Sequence, residues 1–302
     1  MQDPVALYQF EPGLDVVGHG ASTLVVALNG FLDAGHAQRL LTRHLLSSFE
    51  HTVVATFDID QLFDYRGRRP LMTFDKDTWL DYAQPELTLY RVVDANGVPF
   101  LLLNGVEPDY QWERTVAAVR QLSRALGVTL TVSVGGIPMA VPHTRPVGMT
   151  AHATQPHLKG DQPAVFDTLQ VPASVAALLE FRLGQDGEQA VGYAIHVPHY
   201  LAQAEYPAAA LAAIEALRRV SGLNVPLGEL QTAAAESLRS ITAQVEQTGE
   251  AQQVVAALEQ QYDAFVAGRQ RVALLSGDES SLPTADELGR ELEAYLRSHS
   301  GE

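Results

Sequence analysis

The sequence predicts an α/β protein in which helices cover both faces of a mostly parallel sheet. Short continuous apolar runs, typical of strands buried on both faces, alternate with segments whose apolar residues recur at helical spacing. The chain has 302 residues, of which 46% are hydrophobic, so it can build a sizeable core. Everything after about residue 206 has helical patterning without strand signals, which adds a C-terminal helical extension to the α/β domain.

The N-terminal part of the predicted sheet contains two buried strands and a hairpin. The apolar runs at residues 23–28 and 52–57 predict the buried strands, and Asp33 fits the N-cap of the helix between them. Two further apolar runs, at residues 87–93 and 99–103, are joined by the turn sequence Asp-Ala-Asn-Gly, which is a strong hairpin signal.

The segment from Asp58 to Tyr82 interrupts this pattern. It is polar, with Arg66, Arg68 and Arg69 close in sequence to two aspartates, and it predicts a long irregular excursion. Excursions of this length in compact domains are usually functional or mobile, so this segment is a candidate for either role.

A strand that starts at Thr129 leads into the most distinctive segment of the chain. We expect the strand to break at Gly135 and Gly136, after which three prolines stiffen a loop that carries His143 and Arg145. Rigid polar loops at the carboxyl ends of strands are where open α/β sheets usually place their sites.

The remaining elements of the α/β domain follow the same alternation. A helix with Trp112 on its apolar face ends at Gly127, and residues 172–181 predict a second helix. Residues 147–153 and 189–197 predict two further strands of the sheet.

We expect two domains, an α/β domain over residues 1–225 and a helical extension over residues 226–302. A Gly- and Ser-rich flexible linker near residues 274–283 precedes a last helix, which Thr284 and Glu287 would cap. An acidic helical tail is usually a solvated surface, and the alternative is a lid or an arm that binds a partner.

Charge and composition exclude several classes of function. Lys and Arg total 20 and Asp and Glu total 36, and the resulting net charge of −16 argues against nucleic acid or an anionic membrane as a partner. The absence of cysteine excludes disulfides, thiolate nucleophiles and cysteine-based zinc sites. No secretory signal and no run of about 18 apolar residues is visible, so we expect a cytoplasmic protein.

Polar clusters follow four of the predicted strands, and in a parallel sheet these strand ends could share one crevice. The candidate ligand-binding residues are Asn29, Gly30, Asp33, Asn104, Gly105, Glu107, Gly135, Gly136, His143, Arg145, His196 and His199. Arg145 could bind an anion through its planar fork of donors, or it could stabilise its loop by donating to carbonyls. The alternative for the Asn-Gly and Gly-Gly pairs is that they only terminate strands.

No complete catalytic or cofactor motif is present. His196 and His199 are three apart, but no H-E-x-x-H helix or acidic loop accompanies them, so no metal is expected. The Gly-His-Gly at residues 18–20 precedes a strand and lacks the third glycine of a dinucleotide fingerprint, and neither a P-loop nor a G-x-S-x-G motif occurs. The sequence therefore predicts no cofactor and favours a non-catalytic protein over an enzyme.

Three segments together resemble the actinobacterial branch of the proteasome assembly chaperone family. They are ALNGFLDAG at residues 27–35, LNGVEPD at residues 103–109 and GGIPMAVPHTRP at residues 135–146, the last being the most specific. The resemblance implies a three-layer α/β/α domain similar to the nucleoside phosphorylase and peptidyl-tRNA hydrolase-like group. Because archaeal and eukaryotic members bind proteasome subunits, it also implies a protein partner or self-association as a homo-oligomer, and the phosphorylase-like fold often forms trimers.

Two functional hypotheses follow. In the first, the protein is a non-catalytic binding or assembly factor, which predicts an exposed apolar patch on the folded chain. In the second, the strand-end crevice binds a small nucleoside-like or anionic molecule, or serves a hydrolase- or phosphorylase-like enzyme. The second hypothesis rests on fold analogy and predicts a concave pocket lined from all four strand ends.

Overall fold

An eight-stranded mixed sheet organises the first of the two units into which the chain divides, Met1–Thr248 and Gly249–Glu302. The computed structural model describes residues 2–30, 32–160 and 168–276. The strands are Tyr8–Phe10 (β1), Thr23–Asn29 (β2), His51–Phe57 (β3), Met72–Asp75 (β4), Thr78–Tyr82 (β5), Leu87–Val93 (β6), Pro99–Val106 (β7), Leu130–Met139 (β8), Met149–Ala153 (β9) and Gln189–Pro198 (β10). The helices are Ala37–Ser48 (α1), Trp112–Ala125 (α2), Val175–Gln185 (α3), Pro207–Ser221 (α4), Gly228–Glu246 (α5) and, in the second unit, Gly249–Ser276 (α6).

The order of strands across the sheet is β1-β3-β6-β7-β2-β8-β10-β9. Strands β7, β2, β8 and β10 are parallel neighbours, whereas β1, β6 and β9 run antiparallel to the strands beside them. The carboxyl ends of β7, β2, β8 and β10 therefore lie at the same edge of the sheet. Strands β4 and β5 form a separate two-stranded hairpin.

Strand β2 shows why helices cover both faces. Val25 and Ala27 belong to the buried cluster that includes α1 and α4, whereas Leu24, Val26 and Leu28 belong to the cluster that includes α2 and α3. Successive side chains of a strand point to opposite faces, so a continuous apolar run must be buried on both. The predicted α/β fold with C-terminal helices is confirmed, and the expected likeness to the nucleoside phosphorylases stays a prediction.

The expectation that the strand before the proline-rich loop breaks at its two glycines is wrong. Strand β8 continues to Met139 and pairs with β10 along its whole length, with Gly136 opposite Ile195. Glycine is needed here for a different reason. A side chain at Gly136 would overlap the backbone carbonyl of Ala34, which lies directly against the strand.

The segment from Asp58 to Tyr82 is not irregular throughout as predicted, because its second half forms the hairpin of β4 and β5. Arg68 anchors the base of this hairpin by donating to the Asp109 carboxylate and to the backbone carbonyl of Glu107. The signal for the hairpin is the pair of apolar-rich stretches on either side of an Asp-Lys-Asp turn.

Between Pro207 and Ser276 the chain is helical apart from two short connections, as predicted. Helix α5 falls in the first unit, where Leu230 joins the buried cluster of α4, and the predicted domain boundary at residue 225 stays a prediction. Helix α6 runs to Ser276. Most of the predicted linker near residues 274–283 and the helix expected after Thr284 lie outside the described residues, so both stay predictions. Within the described ranges, no helix is long and apolar enough to cross a membrane.

Candidate functional site

Four parallel strand ends form one rim at the carboxyl edge of the sheet, in the order β7, β2, β8 and β10. Strand β2 pairs with β7 as far as Asn29, but with β8 only as far as Val26. Beyond that point the chain that follows β2 crosses the end of β8, which brings Ala34 against Gly136. The predicted strand ends share one edge, but main chain occupies the space beside β8.

Glu107 connects three elements behind this rim, and its side chain is buried. Its backbone N–H donates to the Asn29 carbonyl (3.1 Å), and its Oε1 accepts from the backbone N–H of Val175 at the start of α3 (2.7 Å). A side chain at Gly30 would overlap the other carboxylate oxygen. A negative charge is stabilised at a helix N-terminus, so the geometry gives Glu107 a structural role.

Asp33 caps the first amides of α1, which agrees with its position before the predicted helix. Its Oδ1 accepts from the backbone N–H of Gln38 (2.8 Å) and its Oδ2 from that of Arg39 (3.3 Å). Burial raises the pKa of Asp33, although these hydrogen bonds and the charges of His36 and Arg39 oppose the shift. Because both oxygens are occupied, Asp33 is poorly placed to exchange a proton with a substrate.

Asn104 and Gly105 belong to strand β7 itself. Asn104 lies opposite Ala27 of β2 and is half-buried. Gly105 has a φ of 144°, and a side chain there would overlap the backbone carbonyl of Glu86. The close approach of two backbones therefore accounts for this glycine.

His143 is buried in a network that joins the β8–β9 loop to α5. Its Nδ1 lies 2.7 Å from Tyr200 Oη, its backbone N–H donates to the same oxygen (2.9 Å), and its Nε2 lies 3.5 Å from Thr242 Oγ1. Arg145 is half-buried in the same loop, and His199 is exposed with its ring edge-on to that of Tyr200 (5.4 Å between centroids). These contacts tie the loop to the fold.

His196 points away from the face on which His143 bonds to α5. Its strand neighbours Ile195 and Val197 are buried in the cluster of α1 and α4, so His196 points to the other face of the sheet. There its Nε2 lies 2.8 Å from Thr150 Oγ1 of β9. The structure does not bring the two imidazoles together.

A cleft of about 470 Å³ lies at the carboxyl end of β2. Its walls come from the strand end, the turn into α1, the end of β8 and the segment before α4. The lining residues are Asn29, Gly30, Leu32, Asp33, Ala34, His36, Arg39, Pro138, Ala202 and Gln203. Of the predicted site residues, only Asn29, Gly30 and Asp33, at and just after the end of β2, line this cleft.

Three polar lining side chains, His36, Arg39 and Gln203, are absent from the predicted set. In the part of the chain that the structure describes, the Arg39 and Gln203 side chains have no hydrogen-bond or ion-pair partner. His36 has a φ of 51°, in the left-handed region, and its Nδ1 is buried without a partner. The strand–turn–helix order around Asp33 places the first two at the start of α1, and this is the signal that could have identified them.

The cleft is better equipped for binding than for catalysis. Among its described lining residues, none offers a hydroxyl, thiol or amine nucleophile, and the only carboxylate caps α1. In the three described ranges, no group of three or more His, Asp or Glu side chains could hold a metal ion.

The model of the PAC2 family matches residues 27–245, and no curated protein matches the chain. The chain is similar to a Mycobacterium tuberculosis protein of unknown function, with 47% identity over 89% of this chain and 92% of that one (TM-score 0.85). It is also similar to a Corynebacterium glutamicum protein of unknown function, with 38% identity over 86% and 98% of the two chains (TM-score 0.82). A Mycobacterium tuberculosis proteasome-assembly chaperone homologue shares the fold, with 24% identity over 77% and 99% (TM-score 0.69).

Proposed function

The chain belongs to the PAC2 family, and we propose that it is a non-catalytic protein-binding or assembly factor that works as a homo-oligomer. One observation carries the proposal. The segment of residues 71–82, which we call the apolar hairpin, exposes six large apolar side chains. They are Leu71, Met72, Phe74, Trp79, Leu80 and Tyr82. The assembly role is an analogy with the proteasome-assembly chaperone homologue that shares the fold.

The apolar hairpin is exposed along its whole length. Leu71 is 80% exposed, Leu80 63% and Trp79 61%, and every residue of β4 and β5 is exposed. A two-stranded hairpin without further packing is at best marginally stable in water. A regular hairpin with this much apolar surface is therefore best explained by a partner that covers it.

One face of the apolar hairpin is continuous and uncharged. Met72 pairs with Tyr82 and Phe74 with Trp79, and the Phe74 and Trp79 rings are 4.7 Å apart. Met72 and Phe74 are two residues apart on β4 and share a face, and their cross-strand partners lie on the same face because the register shift at Leu80 restores the pairing. Asp81, which pairs with Thr73 between them, points to the other face.

The charge of this face favours a second copy of the chain as its occupant. At the roughly 150–250 Å² that a large side chain can bury, the exposed parts of its four side chains amount to about 400 Å², about half of the ~800 Å² that each partner contributes to a standard interface. The chain has a net charge of −16, so two copies repel each other in general. An uncharged face lets them meet without burying unpaired charge.

The base of the hairpin is held in place before any partner binds. Arg68 Nη2 lies 2.7 Å from Asp109 Oδ2 and 2.6 Å from the Glu107 carbonyl oxygen, and the guanidinium lies 4.6 Å from the centre of the Phe63 ring. Asp109 also accepts from the backbone N–H of Asp64 (2.6 Å). A surface that is ordered in advance loses less conformational entropy on binding.

The oligomer is tested by light scattering coupled to size-exclusion chromatography. We expect wild type to form a homo-oligomer and the double variant Phe74→Ser/Trp79→Ser to be monomeric. Phe181→Ser is the matched control, because Phe181 is also a largely exposed aromatic (59%) outside the hairpin. A monomeric wild type, or a double variant with the mass of wild type, would contradict the proposed self-association.

The assembly role needs a separate experiment. Tagged wild type and the double variant are expressed in the native host, and proteins that co-purify are compared quantitatively. We expect proteasome subunits, or the subunits of another complex, to be recovered reproducibly with wild type. A monodisperse wild-type protein that recovers no partner from its own extract would count against an assembly factor.

A further inference from the structure

We propose that the cleft at the carboxyl end of β2 binds a small anionic molecule, whose carboxylate or phosphate group is held by Arg39 and whose apolar part packs on the cleft wall. This inference goes beyond the proposed assembly function and does not depend on it. The evidence is the set of side chains in the cleft that have no partner in the protein.

Arg39 lines the cleft and, unlike the nearby Arg43, makes no ion pair with any described residue. Asp33 accepts from the first amides of α1 with both oxygens, and Glu205 accepts from Arg43 Nη2 at 2.7 Å. Arg39 is exposed, and within the described residues its guanidinium makes no hydrogen bond or ion pair of its own, although Asp33 and Glu205 lie within its electrostatic reach. Its planar fork of donors matches the geometry of a carboxylate or a phosphate, which could bind it at two points.

His36 presents a second donor to the same space. Its Nδ1 is buried without a partner, whereas its Nε2 is not among the buried atoms that lack one. Buried N–H groups without acceptors are rare, so Nε2 is the ring nitrogen better suited to donate to a ligand. The residue is held in a left-handed conformation that few non-glycine residues adopt, and such strain is often kept where the position of a side chain matters.

The rest of the lining fits the remainder of a small molecule. Leu32, Pro138 and Ala202 give the cleft apolar wall, and the amides of Asn29 and Gln203 lie at its polar side. A volume of about 470 Å³ falls in the range of roughly 300–1,000 Å³ that small-molecule sites occupy. The carboxyl edge of parallel strands is also where open α/β sheets bind ligands.

The test uses the full chain and three probes that share one ring, namely benzoate, phenyl phosphate and the uncharged benzamide. Binding is measured by saturation-transfer NMR and by titration of the chemical shifts of the protein. Arg39→Gln removes the charge of the proposed anion holder, and Arg218→Gln is the matched control, since Arg218 is an exposed arginine of α4 that does not line the cleft.

We expect benzoate or phenyl phosphate to bind wild type more tightly than benzamide does, and the comparison of the two anions identifies the head group. Arg39→Gln should weaken binding of that anion about tenfold or more, because it removes a charge-assisted hydrogen bond. Arg218→Gln should bind like wild type. If neither anion binds better than benzamide, or if the two variants lose affinity equally, the proposal is wrong.

Discussion

The rim of the sheet and the apolar hairpin use their side chains in opposite ways. At the rim, groups of the kind that often carry out chemistry are bonded inward, Glu107 to the start of α3 and His143 to Tyr200. The apolar hairpin comes from a segment that reads as polar, yet it keeps side chains such as Trp79 in solvent. Most of the polar groups at the strand ends therefore serve the fold of this protein, whereas the apolar hairpin exposes its side chains to solvent.

Among the substitutions that test this comparison, the largest loss of stability is expected at Gly136. Gly136→Ala should destabilise the first unit by about 3 kcal/mol, since the new methyl group would overlap the backbone of Ala34 and cannot be relieved by moving a side chain. Urea denaturation followed by circular dichroism measures the loss. Gly249→Ala is the control, because nothing lies near that position. An equal effect of both substitutions would mean that the rim is not packed as described.

Glu107 tests whether a rim carboxylate works for the fold. Glu107→Ala should cost about 2 kcal/mol of unfolding free energy, because it leaves the buried N–H of Val175 without an acceptor. Glu107→Gln should cost less, since an amide oxygen can still accept that hydrogen bond. Denaturation curves of wild type and the two variants measure these losses of unfolding free energy. If Glu107→Ala is as stable as wild type, the structural role of Glu107 is wrong and a functional role is favoured.

Asp94, at the opposite edge of the sheet, is a carboxylate whose charge stabilises the fold. Burial raises its pKa, but hydrogen bonds from the backbone N–H groups of Asn224, Val98 and Asn96 outweigh burial and hold the pKa below its usual value. This stabilisation is therefore present above the unfolded pKa of about 4 and is lost as the pH falls through the lower folded value. Asp94→Asn should cost about 1 kcal/mol at neutral pH.

The stability contributed by Asp33, at the rim, should depend on pH in the opposite way to that contributed by Asp94. Its pKa is raised, mainly by burial, so its contribution is present below the unfolded pKa and is lost as the pH rises through the folded one. We expect Asp33→Asn to change stability at neutral pH by no more than about 0.5 kcal/mol. The unfolding midpoints of Asp94→Asn and Asp33→Asn, measured between acid and neutral pH, separate the two cases. If the midpoints of both variants depend on pH in the same way, the opposite pKa shifts assigned to Asp94 and Asp33 are wrong.

The smallest change in intrinsic stability is expected in the apolar hairpin. Phe74→Ser/Trp79→Ser should alter the unfolding free energy of the dissociated chain by less than about 0.5 kcal/mol, because these side chains are exposed. The difference from wild type should grow with protein concentration, since only wild type gains stability by mass action. A large, concentration-independent loss would show that the hairpin packs on its own chain.

Local patterns predicted much of the fold. The apolar run of β2 predicted a strand buried on both faces, and the Asp-Ala-Asn-Gly turn predicted the hairpin of β6 and β7. The same reasoning was wrong about the two glycines of β8, because it treated them as turn residues. The contact that requires Gly136 comes from Ala34, about a hundred residues earlier in the chain.

The candidate site was less predictable, since it depends on the direction of each side chain. His143 follows β8 and His196 lies near the end of β10, and both strands end at one edge, yet the two side chains bond on different faces. Periodicity does not predict where a loop returns to the sheet. His36 and Arg39 line the cleft because the chain makes a left-handed turn at His36, and the composition of the sequence does not predict this turn.

By itself the sequence determined the class of fold, the family resemblance and the exclusion of thiol chemistry, because these depend on residue types, local spacing and short motifs. Only the tertiary structure decided which polar groups are satisfied and which surfaces are left uncovered. Burial and hydrogen bonding depend on contacts between residues distant in sequence, such as Glu107 with Val175, so they exist only once the chain has folded.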